Sequence, residues 1–445
     1  MATTAALRKQ GRGLRQQVPR QQLGRGFRTD RDPVALLDAQ NASRLTSLVP
    51  VRWGRMSESA FTFYRGTAAL MAHDLAPTPV TGIRVQACGD AHLSNFGFYS
   101  SPERALVFDL NDFDETTVAP WEWDVERLVA SMAVAARAGG FDDNTAFGIA
   151  TEAAAAYRKA MATLAGRSAL DNYWTVVRAE ALLERTKQLE TDAVAREIKR
   201  AERKARRRTS ETALRKLATV SEDGELQLVE QPPLMFRTDV LPEALADIPL
   251  RYLDTVPADI AALLARFTPV DQMMRVVGVG SVGTRCAIVL LVDSTDAPLI
   301  LQVKEATRSV LEPAAGASRY HHDGQRVVRG QRIMQAVSDP FLGWASLGGR
   351  HYYVRQFRDN KGGFEIERLS PSLLTAYGRL CGAVLARAHA QSCEPALLAG
   401  YLGKGAAFDE AMAEFALAYA AQNDADYARF VEAIGSGLLR ADREH

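Results

Sequence analysis

Cysteine is scarce in this chain, and its four cysteines lack the spacing of a metal site. Cys88, Cys286, Cys381 and Cys393 are scattered, with no Cys-x-x-Cys pair and no cluster with histidine. This spacing argues against a zinc ribbon and against a disulfide framework, and it favours a reducing compartment.

Long hydrophobic runs are also missing. The longest wholly apolar stretches, such as Cys286–Val292, are far shorter than the roughly 20 residues of a membrane-spanning helix. Residues 1–31 are rich in Arg and Gln and lack the apolar core of a secretory signal. The formal net charge is only +1, so the overall field does not demand a nucleic-acid partner. We therefore expect a cytoplasmic protein with no membrane partner.

Hydrophobic periodicity divides the 445 residues into helical and strand-like regions. Helical spacing dominates the first half and the end of the chain, whereas β-branched runs follow Pro269. This length suffices for two or three lobes with a substantial core. The predicted organisation is a basic N-terminal arm (1–32), a helical lobe with two acidic loops and a helical insert (33–232), a connector (233–268), a sheet lobe (269–365) and C-terminal helices that complete the helical lobe (366–445).

The first acidic loop follows a predicted strand at Ile83–Ala87. In protein kinases one loop supplies a carboxylate for the acceptor hydroxyl and an amide ligand for magnesium, as Asp followed five positions later by Asn. Asp90 and Asn95 have this spacing. Asp and Asn also cap backbone groups in ordinary turns, so the pattern alone is weak. The flanking strands and His92 inside the loop favour catalysis, with His92 more a brace of the loop than a direct participant.

A second acidic run, Asp109–Glu115, follows the predicted strand Ala105–Phe108. A carboxylate in this run must reach the metal, and magnesium prefers a few hard oxygen ligands together with water. Asp109 and Asp112 are the candidates. Their spacing does not choose between them.

The third motif is a glycine-rich loop, Gly-x-Gly-x-x-Gly. Its candidate phosphate-binding residues are Gly278, Gly280, Ser281 and Gly283. A dinucleotide-binding fold would place a helix after such a loop. Here the β-branched run Arg285–Val292 follows, which predicts a hairpin like the glycine loop of kinases.

A lysine ends the next predicted strand, twenty-one positions beyond the last glycine of the loop. Lys304 stands at the end of an apolar strand, where an unpaired charge is unfavourable. A kinase places there the lysine that binds the α- and β-phosphates. The alternative is a lysine that extends from an edge strand into water. Glu312 is the first candidate for its acidic partner, and Glu305 the second, because the side chain of Glu305 alternates to the other face of the sheet.

Two families resemble this chain. The segment Cys88–Asn95, with Phe108-Asp109 and Trp123–Leu128, resembles the catalytic signature of aminoglycoside and choline phosphotransferases, although Cys88 replaces a loop-bracing histidine. The whole chain resembles an uncharacterised bacterial family, domain of unknown function 2252. That likeness rests on Gly-Asp-x-His-x-x-Asn-Phe-Gly, Asp109–Glu115, Gly324–Arg332 and the helix Ala386–Gln391.

The resemblance implies an α+β, two-lobe protein-kinase-like fold with a small antiparallel sheet lobe and a large helical lobe. Kinases run from the glycine loop and lysine to the catalytic loop, whereas here the catalytic loop comes first, so we expect a circular permutation. Termini usually lie at the surface, and a site requires only proximity in space. The C-terminal helix Leu373–Ala390 would then occupy the place that normally precedes the catalytic loop.

The expected function is therefore an ATP- and Mg²⁺-dependent phosphotransferase acting on an unknown hydroxyl acceptor, with a small molecule favoured over a protein. Two alternatives keep the same fold: a catalytically weak nucleotide-binding regulatory module, and a nucleotidyl transferase. A third is a nucleic-acid-binding protein using the basic stretches 1–31 and 185–216. Interleaved glutamates and the lack of aromatic residues in the second stretch argue against it.

Overall fold

The computed structural model describes residues 2–188, 192–207, 210–222, 224–238, 252–357 and 361–442. The predicted connector 233–268, including its boundary at Pro242, lies partly outside these residues. The chain is a mixed α+β protein with 51% helix and small antiparallel sheets. The predicted α+β class is therefore confirmed.

Most helices of the described residues fall before or after the six-stranded sheet in the chain, and three lie between its strands. None of them is both long enough and apolar enough to cross a membrane. They are α1 (Thr4–Gly13), α2 (Pro33–Ala39), α3 (Val49–Met56), α4 (Ala60–Arg65), α5 (Ala68–Leu75), α6 (Trp121–Ala138), α7 (Asp143–Leu164), α8 (Ala169–Tyr173), α9 (Ala179–Gln188), α10 (Asp192–Arg206), α11 (Ser210–Leu217), α12 (Ala258–Leu264), α13 (Glu312–Ala315), α14 (Asp323–Met334), α15 (Pro371–His389), α16 (Pro395–Leu402) and α17 (Ala407–Gly435).

The largest core lies among α6, α7, α15 and α17. Small residues let these helices approach closely: a Cβ on Gly382 of α15 would lie only 2.4 Å from the carbonyl oxygen of Ala153 in α7. Local signals fix the ends of these helices. Asp142 caps α7, and Ser370 caps α15 with Pro371 at its first turn.

Within the described residues the strands form one large sheet and three two-stranded sheets, with every named pair antiparallel. They are β1 (Arg84–Ala87), β2 (Phe96–Ser100), β3 (Leu106–Leu110), β4 (Thr117–Pro120), β5 (Ala218–Val220), β6 (Leu226–Leu228), β7 (Met235–Phe236), β8 (Thr268–Arg275), β9 (Cys286–Val292), β10 (Pro298–Ala306), β11 (Gly343–Leu347) and β12 (Arg350–Gln356).

The six-stranded sheet has the order β11-β12-β10-β9-β8-β7. β8 and β9 are joined by residues 276–285, so the glycine motif closes a hairpin. β9 is buried on both faces up to its last residue, which agrees with its unbroken apolar sequence. α14 lies between β10 and β11 in the chain and packs against β11 and β12.

Two small sheets carry the acidic loops. β1 pairs with β4, and β2 pairs with β3. The loop 88–95 therefore joins one small sheet to the other, and the loop 111–116 returns between the same two sheets. This arrangement brings the two acidic runs side by side.

The predicted N-terminal arm is wrong as a description of residues 1–32. α1 packs against α16, and Arg15 donates from its Nε to the carbonyl oxygen of Tyr401 at 2.8 Å. Arg31 is nearly buried and forms an ion pair with Asp74 at 2.7 Å. Basic residues of the segment 1–32, such as Arg15 and Arg31, therefore attach this segment to the helical core.

Candidate functional site

A cavity of about 500 Å³ lies where three distant parts of the chain meet. It is lined by the two acidic loops, by the glycine loop and by the segment that contains α4. The predicted site residues on its wall are Asp90, His92, Asn95, Asp112, Gly278, Gly280 and Ser281. The structure therefore brings the front and the back halves of the predicted site together in one cavity.

Asp90 is held in place by an arginine from α6. Its Oδ1 accepts a hydrogen bond from the Nε of Arg127 at 2.9 Å. Arg127 is itself fixed, because it donates to the carbonyl oxygen of Tyr64 at 2.7 Å and stacks 3.9 Å from the centre of that ring. Burial raises the pKa of Asp90 to about 6 against the opposing effect of Arg127, and Asp112 adds to the rise.

Asn95 and His92 shape the loop around Asp90. The Nδ2 of Asn95 donates to the carbonyl oxygen of Asp90 at 2.8 Å, so the amide oxygen of Asn95 is the atom available to a cation. The Nδ1 of His92 accepts from the backbone N–H of Ser94 at 3.2 Å. Burial lowers the pKa of His92 well below its usual value, and the positive charges of Arg127 and Arg65 lower it further. His92 is therefore a neutral, buried brace.

The base of the loop is tied to α6 by Asp124. Its carboxylate accepts from the backbone N–H groups of Cys88 and Gly89, at 2.6 and 2.9 Å. His389 of α15 is 3.0 Å from the same carboxylate, and its other ring nitrogen is 2.9 Å from the hydroxyl of Tyr157. Buried hydrogen bonds of Asp124, His389 and Tyr157 thus link the start of the loop 88–95 to α6, α15 and α7.

Of the two predicted metal-binding carboxylates, only one reaches the cavity. Asp109 is turned away: it accepts from the backbone N–H of Ala336 at 2.8 Å and lies 3.3 Å from a guanidinium nitrogen of Arg387. Asp112 lines the cavity, and its Oδ1 is buried without a hydrogen-bond partner among the described residues. Asp109 is therefore wrong as a residue of the cavity, and Asp112 is the one of the two that a cation in the cavity could reach.

Lys304 joins the sheet to the second acidic loop. Its ammonium group forms an ion pair with Asp114 and donates to the hydroxyl of Ser281 at 2.9 Å. Tyr353 of the neighbouring strand donates to the other oxygen of Asp114 at 2.8 Å. Burial opposes the charged form of Lys304, but the combined effect of Asp114, Tyr353 and Asp112 raises its pKa above the usual value. Burial likewise opposes the charged form of Asp114, but Lys304 and the hydroxyl of Tyr353 lower its pKa. Both shifts favour the ionised pair.

The predicted glutamate partners of Lys304 are wrong. Glu312 forms an ion pair with Arg308 at 2.7 Å, and Glu305 pairs with Arg285 and Arg350 on the other side of the strand. The acidic partner of Lys304 comes instead from the loop after β3, about 190 positions earlier.

The family motif in α14 has a structural task beside this ion pair. Arg326 is 1% exposed and donates to the carbonyl oxygens of Asp114, Thr116 and Thr307 at 2.6–2.8 Å. It therefore fixes the backbone on which Asp114 stands relative to the end of β10. The sequence pattern had singled out this segment without indicating that role.

The glycine loop requires glycine for two different reasons. Gly278 and Gly283 have φ angles of 70° and 91°, in the left-handed region that side chains disfavour. Gly280 is instead close to a neighbour, since an added Cβ would lie 3.3 Å from the carbonyl oxygen of Arg65. The C-terminal end of α4 thus touches this loop.

The donor set suits magnesium better than a transition metal. No group of three or more His, Cys, Asp or Glu in the described part of the chain is arranged around a metal position. The cavity instead offers the amide oxygen of Asn95 and the unpartnered oxygen of Asp112. Magnesium keeps several waters and often takes only one or two protein carboxylates together with phosphate oxygens.

Comparison with known proteins gave one match. A family model described as "Uncharacterized protein conserved in bacteria (DUF2252)" matches residues 44–433. No curated protein and no solved structure matched the chain. The matched range contains every residue of the cavity wall named above.

Proposed function

The chain belongs to that bacterial family, DUF2252, and from the geometry of its cavity we propose that it is a kinase-like phosphotransferase that uses ATP and Mg²⁺ on a hydroxyl acceptor. One observation carries this proposal. Gly278, Gly280 and Ser281 of the glycine hairpin line the same cavity as Asp90, Asn95 and Asp112, although the two groups are about 190 residues apart in the chain. Lys304 is buried beside the cavity and contacts Ser281 and Asp114 of its wall.

The order of elements within the sheet supports the proposal. The glycine loop joins the first two strands of the run β8-β9-β10, the lysine lies on the third, and a helix follows before β11 and β12. Protein kinases have the same succession of glycine-rich loop, third-strand lysine and helix. The catalytic loop precedes this unit, so the proposed fold is a circularly permuted one.

Each residue of the cavity has a role in this proposal. Asp90 would orient the acceptor hydroxyl and accept its proton, and Arg127 would keep its carboxylate in position. The backbone N–H groups of the glycine loop would bind the nucleotide phosphates, with Lys304 alongside them. Asn95 and Asp112 would hold the magnesium ion, which would neutralise charge on the phosphates.

The first test is whether the protein binds and uses ATP. With Mg²⁺ and saturating ATP, the purified protein should melt several degrees higher, because a ligand at 100 times its Kd adds about 2.7 kcal/mol to the unfolding free energy. Asp90→Asn should lower turnover by about 10²–10⁴-fold, the usual contribution of a general base, and should keep the nucleotide-induced stabilisation.

Lys304→Met is the matched variant in the sheet, beside the glycine loop. It should reduce both turnover and nucleotide-induced stabilisation, whereas Asp90→Asn reduces only turnover. A protein that ATP, ADP and GTP all leave unchanged in its melting curve would contradict the proposal. Stabilisation of the native protein without turnover would favour the regulatory module, and an acceptor that gains AMP would favour nucleotidyl transfer.

A further inference from the structure

Two arginines on the cavity wall lack the acidic partners that buried arginines of this protein usually have. Arg65 ends α4, and Arg44 follows the short 3-10 helix Gln40–Ser43. The Nε atoms of both are buried without a hydrogen-bond partner in the described residues. By contrast Arg31, Arg127 and Arg158 each form an ion pair with an aspartate.

Arg44 and Arg65 both lie beside the glycine loop. Arg44 donates to the carbonyl oxygen of Val282 at 2.5 Å, and its side chain packs against Gly283. The backbone of Arg65 approaches Gly280, and its guanidinium is within ion-pair distance of no carboxylate in the described segments. Their remaining N–H groups are available to a ligand in the cavity.

The charges of the cavity make this pair of arginines important for an anionic ligand. Asp90, Asp112, Asp114 and Glu115 also line the wall and would repel an anion. Burial lowers the pKa of both Arg44 and Arg65, and the more distant carboxylates, Glu115 first for Arg44 and Glu367 first for Arg65, only partly oppose this. A guanidinium that has lost water without gaining a counter-ion binds oxyanions strongly, because its planar N–H fork matches two oxygens at once.

We propose that Arg44 and Arg65 form an oxyanion subsite that binds a phosphate-type group between the glycine loop and the Asp90 loop. This inference rests on the proposed function, because it names the chemistry of a group that enters the same cavity. The group is either the terminal phosphate of the nucleotide or an acidic substituent on the acceptor. In both cases the subsite contributes positive charge next to the position at which phosphoryl transfer would occur.

Inorganic phosphate is the probe for this subsite. Sodium phosphate should raise the melting temperature of the native protein more than sodium chloride of equal ionic strength. Calorimetric titration should show phosphate binding at least tenfold weaker in Arg65→Gln and in Arg44→Gln. Arg65→Lys keeps the charge but loses the planar fork. We expect its affinity for phosphate to lie between that of the native protein and that of Arg65→Gln.

Arg308→Gln is the matched control. Arg308 lines the same cavity but is exposed and paired with Glu312, so its loss changes the net charge equally without removing a free guanidinium. This variant should bind phosphate like the native protein. Equal weakening in Arg308→Gln and Arg65→Gln would overturn the subsite, as would phosphate binding that neither Arg44→Gln nor Arg65→Gln weakens.

Two nucleotides then identify the source of the oxyanion. If a non-hydrolysable ATP analogue with Mg²⁺ displaces phosphate and ADP does not, the subsite takes the terminal phosphate of the nucleotide. If phosphate still binds beside the ATP analogue, the subsite takes an acidic group of the acceptor. Phosphate binding that depends on Arg65 in a protein indifferent to all nucleotides would support the subsite and overturn the proposed phosphotransfer.

Discussion

Three aspartates within six residues of the chain have different electrostatic surroundings. Asp109 accepts backbone N–H groups and faces Arg387. Asp112 has a buried oxygen without a described partner at the cavity. Asp114 neutralises Lys304. A carboxylate that is already satisfied by protein donors is a poor metal ligand, whereas an unsatisfied buried oxygen is unfavourable until a cation binds.

This difference leads to opposite expectations for Asp112→Asn and Asp109→Asn. Asp112→Asn should reduce turnover at least tenfold and raise the magnesium concentration needed for half-maximal rate, with little loss of stability. Asp109→Asn should lower the unfolding free energy by about 1–3 kcal/mol, because it removes the charge that faces buried Arg387. Denaturant melts and magnesium titrations of the rate measure the two effects. A magnesium dependence altered only by Asp109→Asn would show that Asp112 is not the ligand.

Sequence reasoning at this scale found the residue types but not all of their partners. The Asp90–Asn95 spacing and the glycine motif identified residues that the structure brings to one cavity, and the lysine at the end of an apolar strand contacts two residues of its wall. The partner of Lys304 could not be read from the sequence, because Asp114 is distant in the chain and a kinase model directs the search to a following helix. The unpaired Arg44 and Arg65 left no signal at all, since an arginine's lack of a partner becomes visible only in three dimensions.

At the scale of single elements, α6 departs from the simple pattern of an amphipathic helix. The spacing of the apolar residues Val125, Leu128, Val129 and Met132 is that of a helix with one buried face. In the structure the charged residues of its first two turns are buried as well, and three of these four residues have hydrogen-bonding partners. Glu122 accepts hydrogen bonds from Thr81, and Asp124 accepts them from the loop 88–95. Arg127 forms an ion pair with Asp90. Glu126 has no hydrogen-bonding partner for either carboxylate oxygen among the described residues.

Glu126 should therefore make the protein less stable at high pH. Burial, together with the negative charge of Glu122, raises the pKa of Glu126 from 4.5 to about 8, and the nearby backbone of Gly24 only partly offsets this. Between these two values the folded protein holds a proton that the unfolded chain has released, so stability falls as the pH rises. Above about pH 8 the loss is complete.

Glu126→Gln should remove this dependence. We expect the variant to melt several degrees higher than the native protein near pH 8.5, from a gain of at most a few kcal/mol, and to melt at a similar temperature near pH 5. Glu410→Gln, at an exposed position on α17, is the control and should leave the pH profile unchanged. An unchanged profile in Glu126→Gln would mean that this carboxyl group has found a donor or water.

At the scale of the whole molecule, chain order and spatial order disagree. Local periodicity predicted the two strands after the glycine loop and the helix α15 closely, because β-branched runs and capping residues act over short distances. It did not place β8, the strand before the loop. The short strands β2 and β11 were missed, since glycine and serine weaken their pattern. The docking of residues 1–32 was also missed, because its arginines bind distant carbonyl oxygens and carboxylates rather than local groups.

The ion pair between Lys304 and Asp114 joins the six-stranded sheet to the loop 111–116, and its two side chains differ in their exposure and in their other partners. The side chain of Lys304 is 3% exposed, whereas that of Asp114 is 26% exposed and also receives the hydroxyl of Tyr353. Removing Asp114 leaves a buried ammonium without an anion, but removing Lys304 leaves a carboxylate with a donor and some water.

We therefore expect Asp114→Asn to lower the unfolding free energy by about 3 kcal/mol and Lys304→Met to lower it by roughly 1 kcal/mol or less. The double variant should have the same stability as Lys304→Met, because no buried ammonium group is then left without an anion. Denaturant unfolding without nucleotide measures all three. The exposed pair Arg25–Glu414 is the control, and its single variants should change stability by less than about 1 kcal/mol. If Lys304→Met proved as destabilising as Asp114→Asn, the lysine itself would be holding the sheet to the acidic loop, and its nucleotide-binding role would have to be tested with Lys304→Arg.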